Sequence, residues 1–460
     1  MASGDVIFAP LKFRSLEVKN RLFRSNISGR FDNSDGSGTQ TRINWETKFA
    51  KGGAGAIVSS FVPVTLHGRI ADNYATIHTD DHIPFWRTVG EAVRAHGDCK
   101  FIMQLSHSGR QQDLPGVVNR HRKTISSTAK PETLHGFLCE AMTKAEILAT
   151  VEDFAEAARR AREAGLDGVE LHAANGYLIT QFLSSGINDR TDDYGGPLAH
   201  RARFLLEIIR AIRRKVGDDF HLQVKISAVE RNNVLPWEGK GNTLEESIQV
   251  CKWVEQAGAD CIHVSTGSLF PHPLNPPGSF PFDEAVLNYD AMIATGIHTF
   301  RNYLLFRYRL LRPIFRLIWD RMRRGIPEEG ISLDDAAAIK AEVGIPVIST
   351  GGYQTASVIR TAIEDGKCDG VSMARTLVAN NDLPNQFKAG RDRAERPCTY
   401  CNKCLINDIK NPLGCYELSR FDGDHEKMIR EIMTVYHPQP DFRIPAGEQD
   451  RQAWPATTPT

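Results

Sequence analysis

The sequence lacks an excess of charge of either sign, an abundance of aromatic residues and a long uncharged apolar run. Its 56 Lys and Arg residues balance 56 Asp and Glu residues, and aromatic residues make up 8% of the chain. A chain without excess positive charge has no general attraction for nucleic acid. Since 41% of the 460 residues are apolar, the chain can bury a large core. We therefore expect a globular protein without a nucleic-acid partner, and exclude disordered and membrane-spanning classes for the whole chain.

The N-terminal segment and most of the cysteines predict a reducing compartment. Residues 1–15 contain neither an apolar core long enough for a secretory signal nor a twin-arginine pair. The nine cysteines are an odd number, and five of them are scattered along the chain, as expected for buried thiols. We predict a cytoplasmic location, with a peripheral membrane association left open by an arginine-rich segment described below. The scattered cysteines are Cys99, Cys139, Cys251, Cys261 and Cys368.

Short β-branched runs alternate with amphipathic helical patterns from about residue 21 to about residue 390, which is typical of parallel βα units. The predicted strands cover residues 22–28, 56–61, 100–105, 168–172, 222–227, 260–265, 346–350 and 370–373. Before the fourth strand, Thr143 and Glu146 form a capping-box pattern, and Gly165 provides the stop of the helix that follows. Eight such units predict an α/β fold, a closed (β/α)8 TIM barrel whose chemistry lies at the carboxyl ends of its strands.

Two segments depart from the βα pattern: an insertion of about residues 268–331 after the sixth strand, and a tail after about residue 391. We predict residues 1–390 to be the barrel with its insertion, and residues 391–460 to be an extension that carries a cysteine cluster. The last twenty residues are rich in Pro and Thr and have no core of their own, so we expect a disordered end.

Three polar residues follow the fourth predicted strand in the spacing His172-x2-Asn175-x-Tyr177. His172 and Asn175 can direct two side-chain donors at one carbonyl or nitro oxygen, where such donors stabilise developing negative charge. For these three residues in isolation, a capping His and Asn with a core Tyr would be the better interpretation. The sixteen-residue stretch around them, 168–183, reverses that preference.

Residues 168–183, continued by 188–196 and 201–204, resemble the Old Yellow Enzyme family of FMN-dependent ene-reductases and, more loosely, the barrel half of the 2,4-dienoyl-CoA reductases. The similarity extends to residues 20–26, 104–110, 351–352 and 374–375, and so covers about residues 6–390 with the insertion as a gap. It implies FMN as cofactor, NAD(P)H as reductant and an α,β-unsaturated small molecule as substrate. It also implies that His172 and Asn175 bind the substrate oxygen and that Tyr177 supplies the proton.

The same resemblance implies a set of FMN-binding residues. Gln104 would bond the pyrimidine edge of the flavin, and Lys225, where relatives often have Arg, would face its N1–C2 region with a positive charge. Gly351, Gly352 and Arg375 would hold the phosphate. Further contacts are implied for Ser25, Asn26 (often Pro in relatives), Ser28, Ser60 and Ala374 (often Gly in relatives).

Four cysteines crowd into the extension as Cys398-x2-Cys401-x2-Cys404-x10-Cys415. Three closely spaced thiols and one distant thiol suit a [4Fe–4S] cluster and also a tetrahedral zinc site. The segment resembles the cluster segment of dienoyl-CoA reductases, whose middle spacing is one residue longer. Iron–sulfur, structural zinc and free thiols all stay open.

Residues 301–324 of the insertion contain eight Arg, one Asp and many apolar residues. No run here is long and uncharged enough to cross a bilayer. A basic amphipathic helix, broken or kinked near Pro313, would lie on an anionic membrane surface and deliver a lipophilic substrate, or else pack on its own barrel or on a partner subunit. We also expect a homo-oligomer.

The resemblance to the Old Yellow Enzyme family implies an FMN-dependent oxidoreductase that uses NAD(P)H to reduce an activated C=C bond, with hydride from flavin N5 and a proton from Tyr177. Direct reduction by NAD(P)H at a single site is favoured over electron delivery by a separate protein. The alternative of another class is a flavin and iron–sulfur electron-transfer protein that works with a membrane-bound or redox partner. A barrel that has lost its flavin and serves as a scaffold is disfavoured by Gln104, Lys225 and Arg375.

Overall fold

The computed structural model describes residues 4–112, 124–232, 241–269 and 271–437. The last twenty residues, for which we predict disorder, lie outside these ranges. Within them, no helix combines the length and the apolar character that a membrane crossing requires.

Eight parallel strands close into a barrel, as predicted. Each predicted strand is present with boundaries shifted by a few residues, and β8 pairs with β1 to close the ring. The largest shift is in β1, which ends at Arg24 because residues 25–28 leave the ladder and line the cavity at the top of the barrel. The strands are β1 Leu22–Arg24, β2 Ala56–Pro63, β3 Lys100–Ser106, β4 Gly168–Ala173, β5 His221–Ser227, β6 Cys261–Ser265, β7 Val347–Thr350 and β8 Gly370–Met373.

Helices surround the barrel and complete the βα units. They are α1 Gln40–Lys51, α2 Ile83–Arg94, α3 Lys144–Glu163, α4 Leu178–Leu183, α5 Leu198–Val216, α6 Leu244–Gln256, α7 Phe282–Tyr289, α8 Thr299–Arg307, α9 Arg312–Arg323, α10 Leu333–Lys340, α11 Ala356–Glu364, α12 Arg375–Ala379, α13 Leu383–Lys388, α14 Lys403–Asn407 and α15 His425–Met433. Short hairpin strands Leu11–Lys12 and Glu17–Val18 precede the barrel, and strands Ile125–Ser126 and Glu140–Ala141 pair in the loop after β3.

The predicted capping box at the start of α3 is confirmed. Thr143 Oγ1 accepts a hydrogen bond from the Glu146 amide, and the Glu146 carboxylate accepts one from the Thr143 amide at 2.7 Å. Gly165 follows the helix in the left-handed conformation, with φ 74°. These local signals fix the ends of α3, and its apolar stripe buries Ile147, Phe154 and their neighbours against the barrel.

Helices α7, α8 and α9 lie between β6 and α10, where the sequence departs from the βα pattern. The predicted break near Pro313 is present: residues 308–311 separate α8 from α9, and Pro313 occupies the first turn of α9, where its missing N–H costs nothing. An aromatic cluster holds the segment together, with Phe280 at 5.0 Å from the rings of Phe306, Phe315 and Trp319. These helices therefore have a small core of their own beside the barrel.

The cysteine-rich extension is fastened to the loop after β7. Gln354 Nε2 donates to Cys398 O at 3.1 Å and to Tyr400 Oη at 2.8 Å, and Tyr400 Oη donates to Gly352 O at 2.5 Å. Cys404, Leu413 and Val435 belong to the main core cluster. The extension therefore packs as part of the same body as the barrel top.

Replacing Phe154 with Ala should lower the free energy of unfolding by about 3–5 kcal/mol, because the ring is fully buried between α3 and the barrel. Leu148→Ala on the same helix is the matched control. Leu148 is 52% exposed, and its truncation should change stability by no more than about 0.5 kcal/mol. Urea-induced unfolding followed by circular dichroism measures both. Equal losses would contradict the assignment of the buried face of α3.

Candidate active site

A buried carboxylate stands at the centre of the barrel. The strand register places Gln104 beside Glu170 and Glu170 beside Gln223. Glu170 accepts hydrogen bonds from Gln104 Nε2 at 2.7 Å, from Gln223 Nε2 and from His263 Nδ1 at 2.6 Å. His263 Nε2 lies 2.6 Å from hydroxyls on β7 and β8. One layer of side chains thus connects six of the eight strands, from β3 to β8.

Glu170 is ionised in this layer. Burial alone would raise its pKa, but His263, Lys225 and the Gln223 amide together hold it at about 2. Burial lowers the pKa of His263, which leaves its ring neutral with one N–H to donate to the carboxylate. The centre of the barrel therefore carries a fixed negative charge directly below the strand ends.

The carboxyl ends of the strands surround a cavity of about 360 Å³. Most of the predicted site residues meet there. The predicted residues that line it are Ser25, Asn26, Ser28, His172, Asn175, Tyr177, Lys225, Ala374 and Arg375. Because parallel strands end at one edge of a barrel, residues 350 positions apart in the chain come together at this site.

His172 lies at the end of β4 with its ring packed between aromatic neighbours. Its centroid is 4.8 Å from that of Tyr177 and 6.1 Å from that of Phe61. Burial, with help from Lys225, lowers the pKa of His172 to about 3, so the ring is neutral at neutral pH. His172 Nδ1 is buried and has no hydrogen-bond partner among the described residues. The ring is therefore held in place by packing while keeping hydrogen-bonding capacity.

Asn175 occupies the turn between β4 and α4, in the left-handed conformation with φ 59°. Its amide Nδ2 donates to Asn275 Oδ1 at 3.2 Å and to Thr266 O at 3.5 Å, so both of its hydrogens have acceptors inside the protein. Its backbone N–H donates to Ser227 Oγ at 3.1 Å. These contacts orient the Asn175 side chain, and the longer one, to Thr266 O, is the contact that another acceptor would replace.

Tyr177 is the N-cap of α4, and its ring lies 5.0 Å from that of Phe61. Burial raises the pKa of its phenol to about 12. At neutral pH the Tyr177 hydroxyl is therefore protonated and can donate a proton or a hydrogen bond.

Lys225 is buried and stands next to His172 in the register of β4 and β5. Its Nζ donates to Ser25 Oγ at 3.0 Å and to Asn26 Oδ1. Burial lowers the pKa of Lys225 to about 8, with Glu170 acting in the opposite direction. The amine is thus charged at neutral pH and faces the residues at the end of β1.

Ser28 Oγ accepts from the Phe61 amide at 3.0 Å, which fixes the β1 and β2 ends to one another.

Arg375, at the start of α12, lines the cavity on the β8 side. Its guanidinium donates to Pro277 O at 2.8 Å and to Asn402 Oδ1, and it lies 5.6 Å from the centre of the Tyr400 ring. Lys225 and Arg375 are thus two buried cations in the wall of one cavity.

Four predicted residues lie outside the described lining of this cavity: Ser60, Gln104, Gly351 and Gly352. Gln104 instead belongs to the Glu170 layer, although its Oε1 is buried without a described partner. Gly352 has φ 71°, and a Cβ there would lie 2.2 Å from Glu328 O. The glycine is thus required by the close approach of the chain before α10.

Ser60 is placed on the outer side of β2, where its hydroxyl donates to Ile27 O at 2.9 Å and accepts from Arg42. The physical reason is a register shift between Val58 and Phe61 that turns Phe61 into the cavity in its place. A bulge of this kind changes which residues face inward without any signal in the hydrophobic pattern.

The sequence interpretation missed several lining residues: Arg30, Tyr74, His135, Tyr289, Met292 and Asp408. Tyr289 and Met292 come from the insertion, and Asp408 follows α14 in the cysteine-rich extension. Burial raises the pKa of Asp408 to about 7, and its Oδ1 has no described partner. The sequence indicated that both segments lie beside the barrel top. That position does not identify which of their side chains face the cavity.

The four clustered cysteines line one small cavity next to Arg375. Burial raises the pKa of Cys398 and brings that of Cys401 to about 11, so these thiols are protonated at neutral pH. Among the described residues, no three or more His, Cys, Asp or Glu side chains are arranged as a metal-binding group. The cysteines are thus gathered in one place without forming a metal site as they stand.

Comparisons with known proteins agree with this geometry. The sequence model of the NADH:flavin oxidoreductase / NADH oxidase family matches residues 6–286. An NADPH dehydrogenase of Geobacillus sp. is 35% identical over 295 residues, which are 63% of this chain and 82% of that protein. An NADH oxidase of Thermoanaerobacter brockii is 30% identical over 425 residues, 89% of this chain, and the chain spans 57% of its length.

A solved structure titled as a complex of 2-naphthoyl-CoA reductase superposes with a TM-score of 0.71 at 24% identity. The superposition covers 92% of this chain and 58% of that one, and at this identity it supports the fold.

Glu170→Gln should lower the free energy of unfolding by about 3–5 kcal/mol, because the buried layer would lose the charge that its three donors and Lys225 are arranged around. Glu207→Gln is the matched control, since Glu207 is half-buried and accepts one hydrogen bond, from Tyr194 Oη at 2.9 Å. The control should lose about 1 kcal/mol. Chemical denaturation measures both, and a Glu170 variant as stable as the control would contradict the assigned ionisation of Glu170.

Proposed function

We propose that this chain, which belongs to the NADH:flavin oxidoreductase / NADH oxidase family, binds FMN and uses NAD(P)H to reduce an activated carbon–carbon double bond. The observation that carries the proposal is the meeting of His172, Asn175 and Tyr177 in one cavity with Lys225 and Arg375. The similarity to NADPH dehydrogenases and NADH oxidases supports the nicotinamide reductant.

The residues present fit FMN. Lys225 and Arg375 offer two buried positive charges, for the pyrimidine ring of the flavin and for its phosphate, and Asn26 and Ser25 add polar groups beside Lys225. Bound FMN would supply the chemistry that the side chains lack, accepting a hydride from NAD(P)H and passing one to the β-carbon of the substrate. Ser60, Gln104, Gly351 and Gly352 stay predicted FMN contacts, and the hydrogen bond from the Ser60 hydroxyl to Ile27 O counts against an FMN contact through that side chain.

His172 and Asn175 would bind the carbonyl or nitro oxygen of the substrate. Neutral His172 has an N–H to donate, and Asn175 Nδ2 would exchange its 3.5 Å contact to Thr266 O for the substrate oxygen while keeping Asn275. Both donors are strongest toward an oxygen that gains negative charge, so they favour the transition state over the bound substrate. The rings of Phe61 and Tyr177 pack around His172 and hold it in place for this contact.

Tyr177 would give its phenolic proton to the α-carbon of the substrate. Its raised pKa keeps the proton on Oη at neutral pH until the substrate has gained electron density. The neighbouring rings of Phe61 and His172 hold the phenol at one orientation. Transfer of the proton then completes the saturated product.

Tyr177→Phe should slow substrate reduction by a factor of about 10²–10⁴ while leaving reduction by NAD(P)H unchanged. Anaerobic stopped-flow absorbance separates the two half-reactions, first with NADPH or NADH and then with 2-cyclohexen-1-one. Tyr74→Phe is the matched control, because Tyr74 lines the same cavity and packs on Phe61 at 6.0 Å.

Equal slowing in both variants, or none in Tyr177→Phe, would assign the proton to another donor. Protein that stays oxidised with NADH and NADPH yet is reduced by a ferredoxin would support the electron-transfer alternative instead.

The iron–sulfur cluster stays a prediction, supported by four thiols that line one cavity and opposed by the absence of a formed metal-binding group in the described part of the chain. No step above depends on it. Protein purified anaerobically should contain iron and acid-labile sulfide, and Cys404→Ala should lose both. Zinc in their place would identify a structural zinc site, and protein without iron or zinc would identify free thiols.

The homo-oligomer also stays a proposal, which light scattering tests.

A further inference from the structure

Helices α8 and α9 carry the largest concentration of exposed apolar side chains in the described chain. Of its thirteen large exposed hydrophobic residues, nine lie between residues 297 and 318. Leu310 is 90% exposed, Leu317 69% and Ile314 60%. Single exposed apolar residues are ordinary, but a contiguous group of this size on one element indicates a contact surface.

Helix α9 is apolar on two sides, and only one of them is covered. Phe315 and Trp319 face inward, where Trp319 Nε1 donates to Gly278 O at 2.9 Å and both rings lie within 5.0 Å of Phe280. Ile314, Leu317 and Ile318 follow the i, i+3, i+4 spacing on a second side of the helix and are 51–69% exposed. Packing of α9 on its own barrel therefore accounts for its inner face and leaves this second face uncovered.

Positive charge surrounds the uncovered face. Arg312 pairs with Asp283 and Arg323 with Glu328. Six other arginines are exposed and make no ion pair with a carboxylate in the described ranges: Arg301, Arg307, Arg309, Arg316, Arg321 and Arg324. We define the outer face as Leu305, Leu310, Leu311, Ile314, Leu317 and Ile318 together with these six arginines.

We propose that the outer face docks on a bilayer whose headgroups are anionic. Apolar tips that project from a helix pair enter the region between headgroups and acyl chains, while Arg side chains extend sideways to lipid phosphates. Each such cation contributes to the attraction of an anionic surface. A second copy of this chain fits the same face less well, because a symmetric contact would bring the six unpaired arginines of each copy toward those of the other.

The same segment reaches the cavity of the proposed function. Tyr289, at the end of α7, and Met292 line that cavity, and the ring of Tyr289 lies 5.2 Å from that of Phe306 on α8. A bilayer on the outer face would therefore sit on the segment that forms one wall of the cavity. Entry of a lipophilic substrate from the bilayer rests on the proposed function, whereas docking itself does not.

Flotation of the full chain with vesicles tests the docking. Binding to phosphatidylcholine vesicles with 30% phosphatidylglycerol should exceed binding to pure phosphatidylcholine and weaken with added salt. The double variant Leu317→Glu, Ile318→Glu should lose at least tenfold in affinity. The triple variant Arg309→Gln, Arg321→Gln, Arg324→Gln should lose affinity for anionic vesicles by a factor on the order of 100. All these side chains are exposed, so circular dichroism and reductase activity in solution should be unchanged.

The matched control is Leu148→Glu with Val358→Glu, two exposed apolar residues elsewhere on the surface, and it should bind vesicles as the wild type does. No preference for anionic vesicles, or equal loss in the control, would overturn the proposal. Light scattering provides a second test. If the wild type is a dimer and the double variant Leu317→Glu, Ile318→Glu is a monomer, a second copy of the chain occupies the outer face and the proposal is overturned. A failed reductase assay with intact vesicle binding would count against the proposed function alone.

Discussion

The ionised carboxylate of Glu170 is the interaction on which the rest of the site depends. Three donors from three different strands converge on it, and His263 passes the constraint on to β7 and β8. A buried charge is costly unless every lone pair is satisfied, so the strands can close only in the register that supplies these donors. That register in turn places His172 beside Lys225. The negative charge below also raises the pKa of Lys225, in opposition to burial, which lowers it.

Three parts of the chain line the cavity, and only the barrel follows the βα pattern of the sequence. The barrel supplies the residues that would contact a flavin and the reacting atoms, while the insertion supplies Tyr289 and Met292 and the extension supplies Ile406 and Asp408. The family model ends at residue 286, before Tyr289. Part of the cavity wall therefore comes from segments that the family model does not cover.

Sequence reasoning was reliable where the signal is local or periodic. All eight strands, the Thr143 capping box and the break before α9 follow from spacing that can be read within a dozen residues. The residues of the His172 group lie together in one cavity because one strand and its turn carry all three. The hydrogen-bond partner of Asn175 could not be predicted, since Asn275 is 100 positions away and lies in an aperiodic loop. Ser60, which stays a predicted flavin contact, lies outside the described lining of the cavity because a bulge shifts the alternation of inward and outward residues.

The fastening of the extension to the loop after β7 has a consequence for how such a protein can be modified. Gln354, Tyr400 and Gly352 form a chain of hydrogen bonds from Cys398 to the barrel top, and residues 405–409 complete the cavity wall. A cut near residue 390 would remove that wall together with the cysteines, although every strand would remain. The smallest unit that keeps this cavity wall is thus the barrel together with its extension.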